Sequence, residues 1–171
     1  AIPKIIIGNE NIAFNLAYYG TLGAPYVIDT SPNLDIEING DPSEGQVFGV
    51  GDNLTIDGYI TSSAGIQDAV NATASLSAEL FVEGPGLSDS AYYLDSVNGS
   101  GYLYVNAISQ NISLSYELEE IGWHTITLSL EARVYGDIHD NSNNPISIDV
   151  SQFDEITLDF YVGSALTIND V

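Results

Sequence analysis

Period-two alternation of apolar and polar residues runs through most of this chain, and it limits the fold more than any other feature. Leu34, Ile36 and Ile38 alternate with Asp35, Glu37 and Asn39. Leu54, Ile56 and Ile60 follow, then Leu76, Ala78, Leu80 and Val82. Beyond them come Ile112 to Leu118, Ile126 to Val134, and Ile156, Leu158, Phe160 and Val162. Each set has the length of a strand, with one face for a core and one for water. Tyr102 to Val105 reads as a further strand. Turn signals fall at Asn39-Gly40-Asp41-Pro42, Gly49 to Asp52, Glu83-Gly84-Pro85-Gly86, Asn98-Gly99-Ser100-Gly101 and Gly136 to Pro145. No segment carries a 3.6-residue stripe over three turns, and Ile66 to Leu76 holds at most a single helical turn. The expected fold is all-β, two antiparallel sheets packed as a β-sandwich.

Asp29-Thr30-Ser31-Pro32-Asn33 reads as a joint, dividing an N-terminal arm, residues 1–30, from a sandwich domain, residues 31–171. The arm is not linker-like. Ile5, Ile6 and Ile7 form a β-branched run, and Ile12, Phe14, Leu16 and Tyr18 alternate with Asn11, Ala13, Asn15 and Ala17. An apolar strand of that kind pairs with an available β edge. It either completes its own domain or a neighbour's.

Only Lys4 and Arg133 stand against 24 Asp plus Glu, a formal net charge of -22. Such a chain repels phosphate backbones, so nucleic acid is excluded as a partner. Disorder is excluded too, because 44% of residues are hydrophobic and 11 are tyrosine. With no cysteine, disulfides, thiolate metal sites and cysteine nucleophiles are all ruled out. No apolar run reaches the roughly eighteen residues of a membrane-spanning helix, so membrane insertion of the mature chain is not expected. Neither is a basic, then hydrophobic, leader visible; with Ala1 at the start, this suits a mature secreted chain.

Catalytic chemistry finds little to work with. His124 and His139 lie in different settings and lack a metal-binding spacing; His124 reads as a polar strand residue. Glu119-Glu120 and Asp154-Glu155 are adjacent on strands and point to opposite faces, so neither is a catalytic acid pair. We expect no enzyme and no cofactor. Asp137, Asp140, Asn141 and Asn143 gather oxygen ligands in one loop, a weak calcium candidate without the glycine and glutamate of the twelve-residue calcium loop. Four Asn-x-Ser/Thr tripeptides, at Asn53, Asn71, Asn98 and Asn111, are candidate N-glycosylation sites; covalent N-linked glycans would imply secretion.

Val47-Phe48-Gly49-Val50-Gly51-Asp52-Asn53-Leu54-Thr55-Ile56-Asp57-Gly58 resembles the second strand of prokaryotic extracellular immunoglobulin-like domains. Ile121-Gly122-Trp123-His124-Thr125-Ile126-Thr127-Leu128 is similar to their penultimate strand. With the apolar arm, the Asn-x-Ser/Thr sites and the scarcity of basic residues, the whole resembles subunits of archaeal surface filaments, the threads and bundling pili. That resemblance implies an extracellular, immunoglobulin-like β-sandwich that polymerises with copies of itself by donor-strand complementation. Residues 5–19 would be the donor, with Ile5, Ile6, Ile7, Ile12, Phe14, Leu16 and Tyr18 as its apolar contacts. The alternatives are a monomeric adhesin or carbohydrate-binding module, and a viral capsid or spike protein.

Overall fold

The computed structural model describes residues 25–42, 47–140 and 142–164. The described residues form β1 (Tyr26–Ile38), β2 (Asp41–Pro42), β3 (Phe48–Gly49), β4 (Asn53–Gly84), β5 (Leu87–Glu117), β6 (Gly122–His139) and β7 (Pro145–Gly163). The fold is all-β. The strands join in one sheet of order β2-β1-β4-β6-β7-β3, with β5 on the far edge of β4.

The long β4–β5 hairpin organises everything else. The first half of β4 pairs with β1 on one side and with the second half of β5 on the other. Its second half pairs with β6 and with the first half of β5. Between the halves, register shifts fall at Ile60/Ser62, Ile66/Ala69 and Ala69/Ala72, and Asp68 takes a φ of 55°. Bulges of this kind bend a strand and raise its twist. Ser62 stabilises the first of them by donating to the Asp29 carbonyl at 2.7 Å. On β6, Gly136 sits against the bend with a φ of 125°, and a Cβ there would lie 2.6 Å from the Ala72 Cα, so only glycine fits.

Bending at this corner curls the sheet into a half-barrel and lays β1 across β6 and β7 without pairing to them. The inward residues meet there. Ile28, Ile56, Ile60, Ile66, Leu76, Leu80, Leu128 and Leu130 are buried in one cluster. Each such side chain contributes about 1.5–3 kcal/mol of transfer free energy.

Several expected boundaries shift. The sets at 54–60 and 76–82 are halves of β4, while those at 102–105 and 112–118 run together in the second half of β5, which ends at Glu117. Asn98 to Gly101 is therefore no turn: it lies inside β5, where Gly101 has a φ of 83°. Ile66 to Leu76 holds no helical turn; it is the bent part of β4. The Asp29–Asn33 joint is also strand, since β1 starts at Tyr26 with Tyr26 and Ile28 buried. Pro32 is tolerated there because β1 is an edge strand over that stretch among the described residues. Four of the five expected turn stretches hold turns, including Gly49–Asp52, where Asp52 N donates to the Gly49 carbonyl at 3.2 Å, and Gly136–Pro145, where Asn143 N donates to the Asp140 carbonyl at 3.0 Å. Asn39 and Gly40, at φ of 53° and 85°, make the primed turn between β1 and β2. Pro85 and Gly86, the latter at 70°, close the β4–β5 hairpin.

Candidate functional site

The half-barrel is open between β1 and β7 among the described residues. Among the described residues, the outer edge of β1 pairs only with β2, at Glu37 and Ile38. The outer edge of β7 pairs only with β3, at Val162 and Gly163. Between them runs a groove of about 630 Å³, walled by Leu34 and Ile36 from β1 and by Ile156 and Leu158 from β7. These four belong to the inward phase of their strands, yet none is buried, and Leu158 is 39% exposed. Further along, Thr30 donates to Asp154 Oδ2 at 3.1 Å, tying the two strands together by side chains. Beside that bridge, the Gln152 amide oxygen is buried without a hydrogen-bond partner among the described residues. Among the described residues the cleft thus has two strand edges with few ladder partners and half-covered apolar side chains on its floor.

The expected donor residues Ile5, Ile6, Ile7, Ile12, Phe14, Leu16 and Tyr18 lie outside the described residues. All four asparagines of the Asn-x-Ser/Thr sites are exposed. Asn98 and Asn71 share the outer face of one half of the sheet, where Asn98 Nδ2 donates to Thr73 Oγ1 at 2.8 Å. Asn53 and Asn111 lie on the other half, where Asn111 Nδ2 donates to Asp57 Oδ1 at 3.0 Å.

In the candidate calcium loop, the carboxylates already have partners. Asp140 Oδ1 accepts from the Ser142 and Asn144 backbone amides, each at 2.8 Å, and Asp137 Oδ1 accepts from Ser147 Oγ at 2.6 Å. Asn143 adopts a φ of 63°, and Asn141 lies outside the described residues. Asp140 acts as a turn cap. No group of three or more His, Asp or Glu side chains among the described residues is placed to hold a metal ion.

His124 is a polar residue of β6 on the face of Ile126, as expected, and that face is the inward one. The histidine is 1% exposed, its ring stacks on Phe160 at 5.2 Å, and Nδ1 sits 3.1 Å from the Gly122 carbonyl. Phe160 in turn stacks on Phe48 at 4.4 Å. Trp123, one residue away, points outward beside Tyr161. Nearby, the Tyr116 hydroxyl is buried without a partner among the described residues. Its burial and the Asp89 carboxylate push that phenol well above its ordinary pKa. Arg133 holds Asp149 in a two-point ion pair at 2.9 and 2.8 Å, which lowers the Asp149 pKa, and its guanidinium also covers the Tyr135 ring at 4.4 Å.

Sequence reasoning missed large residues in the outward phase. Tyr92, Leu94 and Phe153 stand on the polar face of β5 and β7, 71%, 72% and 61% exposed. Their signal was available: each breaks the alternation on the side that should meet water.

No family model matches the chain, and no curated protein does. Among solved structures, the sporulation control protein Spo0M from Bacillus subtilis is similar at 12% identity and a TM-score of 0.23. The similarity covers 79% of this chain, which spans 50% of that protein's chain.

Proposed function

We propose that this chain is the structural subunit of an extracellular surface filament, of the kind formed by archaeal threads and bundling pili. On this reading the half-barrel is an immunoglobulin-like β-sandwich lacking one strand, and the arm of an adjacent copy supplies it. The observation that carries the proposal is the cleft between β1 and β7, with its two open edges and the half-exposed Leu34, Ile36, Ile156 and Leu158. An extended donor has the matching period, since Ile12, Phe14, Leu16 and Tyr18 recur every other residue on one face. Burying four such side chains is worth about 6–12 kcal/mol before ordering costs. The contact is head-to-tail, so it propagates into an open filament instead of closing into a dimer. Glycans at the four exposed asparagines would then decorate the fibre's outside.

Electron microscopy of the full chain beside a truncation lacking residues 1–20 tests the proposal. The full chain should form filaments and the truncation should stay monomeric. Phe14→Asp should block assembly, because a charge placed in the cleft has no partner there. Asn15→Ala, on the opposite strand face, should assemble normally. Filaments of unchanged form from the truncation would refute donation by this arm.

A further inference from the structure

The outer face of the sheet, opposite the cleft, holds a second feature. There β5, β4, β6 and β7 lie side by side, and their register sorts outward residues into rows. One row reads Leu94, Ser77, Glu131, Phe153. The next reads Tyr92, Glu79, Ser129, Glu155. Tyr92, Leu94 and Phe153 therefore stand on the outer strands, with Glu155 at the fourth outer position, while serines and carboxylates line the two middle strands. The result is a trough of about 510 Å³ between Tyr92 and Leu94 on one side and Phe153 on the other. Three strand spacings separate its walls, about 14 Å.

Its chemistry narrows the occupant. An anion is disfavoured, because the trough contains Glu79 and Glu131, and the adjacent Arg133 is already held by Asp149 at two points. The net charge of -22 adds to that repulsion, and a second copy has only Lys4 and Arg133 to set against Glu79, Glu131 and Glu155 on this face. An apolar ligand would strip water from the serines and carboxylates without replacing their hydrogen bonds. What fits is a neutral molecule with apolar faces and many hydroxyls. A pyranose places its C–H face on an aromatic ring, donates hydroxyls to carboxylates and exchanges hydrogen bonds with serines. The trough is open at both ends along the strands, as a chain of sugars requires.

We propose that this trough binds a neutral polysaccharide supplied from outside the protein. Saturation-transfer NMR tests it and reads assembled and monomeric protein alike. The full chain is produced without N-glycans, so that sugar on Asn71 or Asn98, which share this face, cannot fill the trough. The probes are neutral hexasaccharides of β-glucan, mannan and xylan, with a sulfated hexasaccharide and hexalysine alongside. At least one neutral sugar should receive saturation, chiefly at its C–H protons, and neither charged probe should displace it. Tyr92→Ala/Phe153→Ala should raise its Kd about tenfold or more, equal to roughly 1.4 kcal/mol. Tyr102→Ala, an exposed tyrosine in the other half of β5, should leave the Kd unchanged. The inference is overturned if no neutral hexasaccharide binds, if binding survives the double substitution, or if hexalysine alone occupies the trough.

Discussion

Gly84 and His124 should be strongly coupled, and the coupling can be measured. Gly84 ends β4 at the hairpin turn, and its backbone needs no left-handed conformation, so alanine is acceptable on that count. The obstacle is the His124 ring. A Cβ on Gly84 would overlap the ring carbons and lie 2.8 Å from Nε2. The ring cannot simply yield, because it is buried, stacked on Phe160 at 5.2 Å and set against the Gly122 carbonyl. Overpacking costs about 1–3 kcal/mol, and loss of the aromatic stack adds about 0.5–1.5 kcal/mol. Gly84→Ala should therefore destabilise by about 2–4 kcal/mol. At about 2–4 °C per kcal/mol for a domain of this size, Tm should fall by about 4–16 °C. Urea denaturation of a double-mutant cycle with His124→Ala isolates the cause. With the ring gone, Gly84→Ala should cost less than about 0.5 kcal/mol. An equal cost in both backgrounds would refute the steric reasoning and place the strain in the turn.

Tyr116→Phe should stabilise the protein by about 1 kcal/mol at neutral pH, because it removes a buried hydroxyl that has no partner among the described residues. Folding raises the Tyr116 pKa, so its contribution is complete below the ordinary phenol value and is lost as pH rises beyond it. Urea midpoints above about pH 10 should accordingly fall more steeply in wild type than in Tyr116→Phe. Asp149 should titrate below the usual carboxylate range by carboxyl-carbon NMR, and Arg133→Gln should move it back up. Its pairing stabilises above the ordinary carboxylate pKa and is lost as pH falls through the depressed value, a small effect because both groups are exposed. If the exposed Asn53, Asn71, Asn98 and Asn111 carry sugar, intact-mass measurement of native protein should show added hexose units, and a bare polypeptide mass would remove that support for secretion.

The inward phase of the sheet was legible in the sequence because its side chains keep strict alternation wherever the ladder is regular. Ile126, Leu128, Leu130, Ala132 and Val134 are all buried, as the pattern requires. Alternation lapses where the chain bends, so the continuity of β4 and β5 was hidden. Thr61 takes part in one such irregularity: its hydroxyl accepts from the Ser109 amide at 3.1 Å, with Ser109 at a φ of 48°. Glycines at 99 and 101 look like a turn in one dimension, whereas here they serve a strand whose neighbour has slipped register. The cleft itself was not legible, because which edges stay open depends on the curl, and the curl depends on those bulges. The trough depends on register across four strands, which no single stretch of sequence encodes.

The β4–β5 hairpin also sets an order of events for the unfolded chain. Its ladder starts at Gly84 and Leu87, two residues apart across Pro85-Gly86, and runs out to Asn53 and Glu117. Closing such a short loop is fast, about 1–10 μs for a hairpin, so the first pairings carry little entropic penalty. Every other strand then docks onto an edge created by this hairpin or by a strand already on it: β6 and β1 on β4, β7 on β6, β2 on β1 and β3 on β7. Local zipping thus replaces the slow search that ordinarily retards strand-rich proteins. The cleft takes shape only once β1 has docked on β4 and β7 on β6, so the face a partner strand would meet exists only after both halves of the sheet are in place.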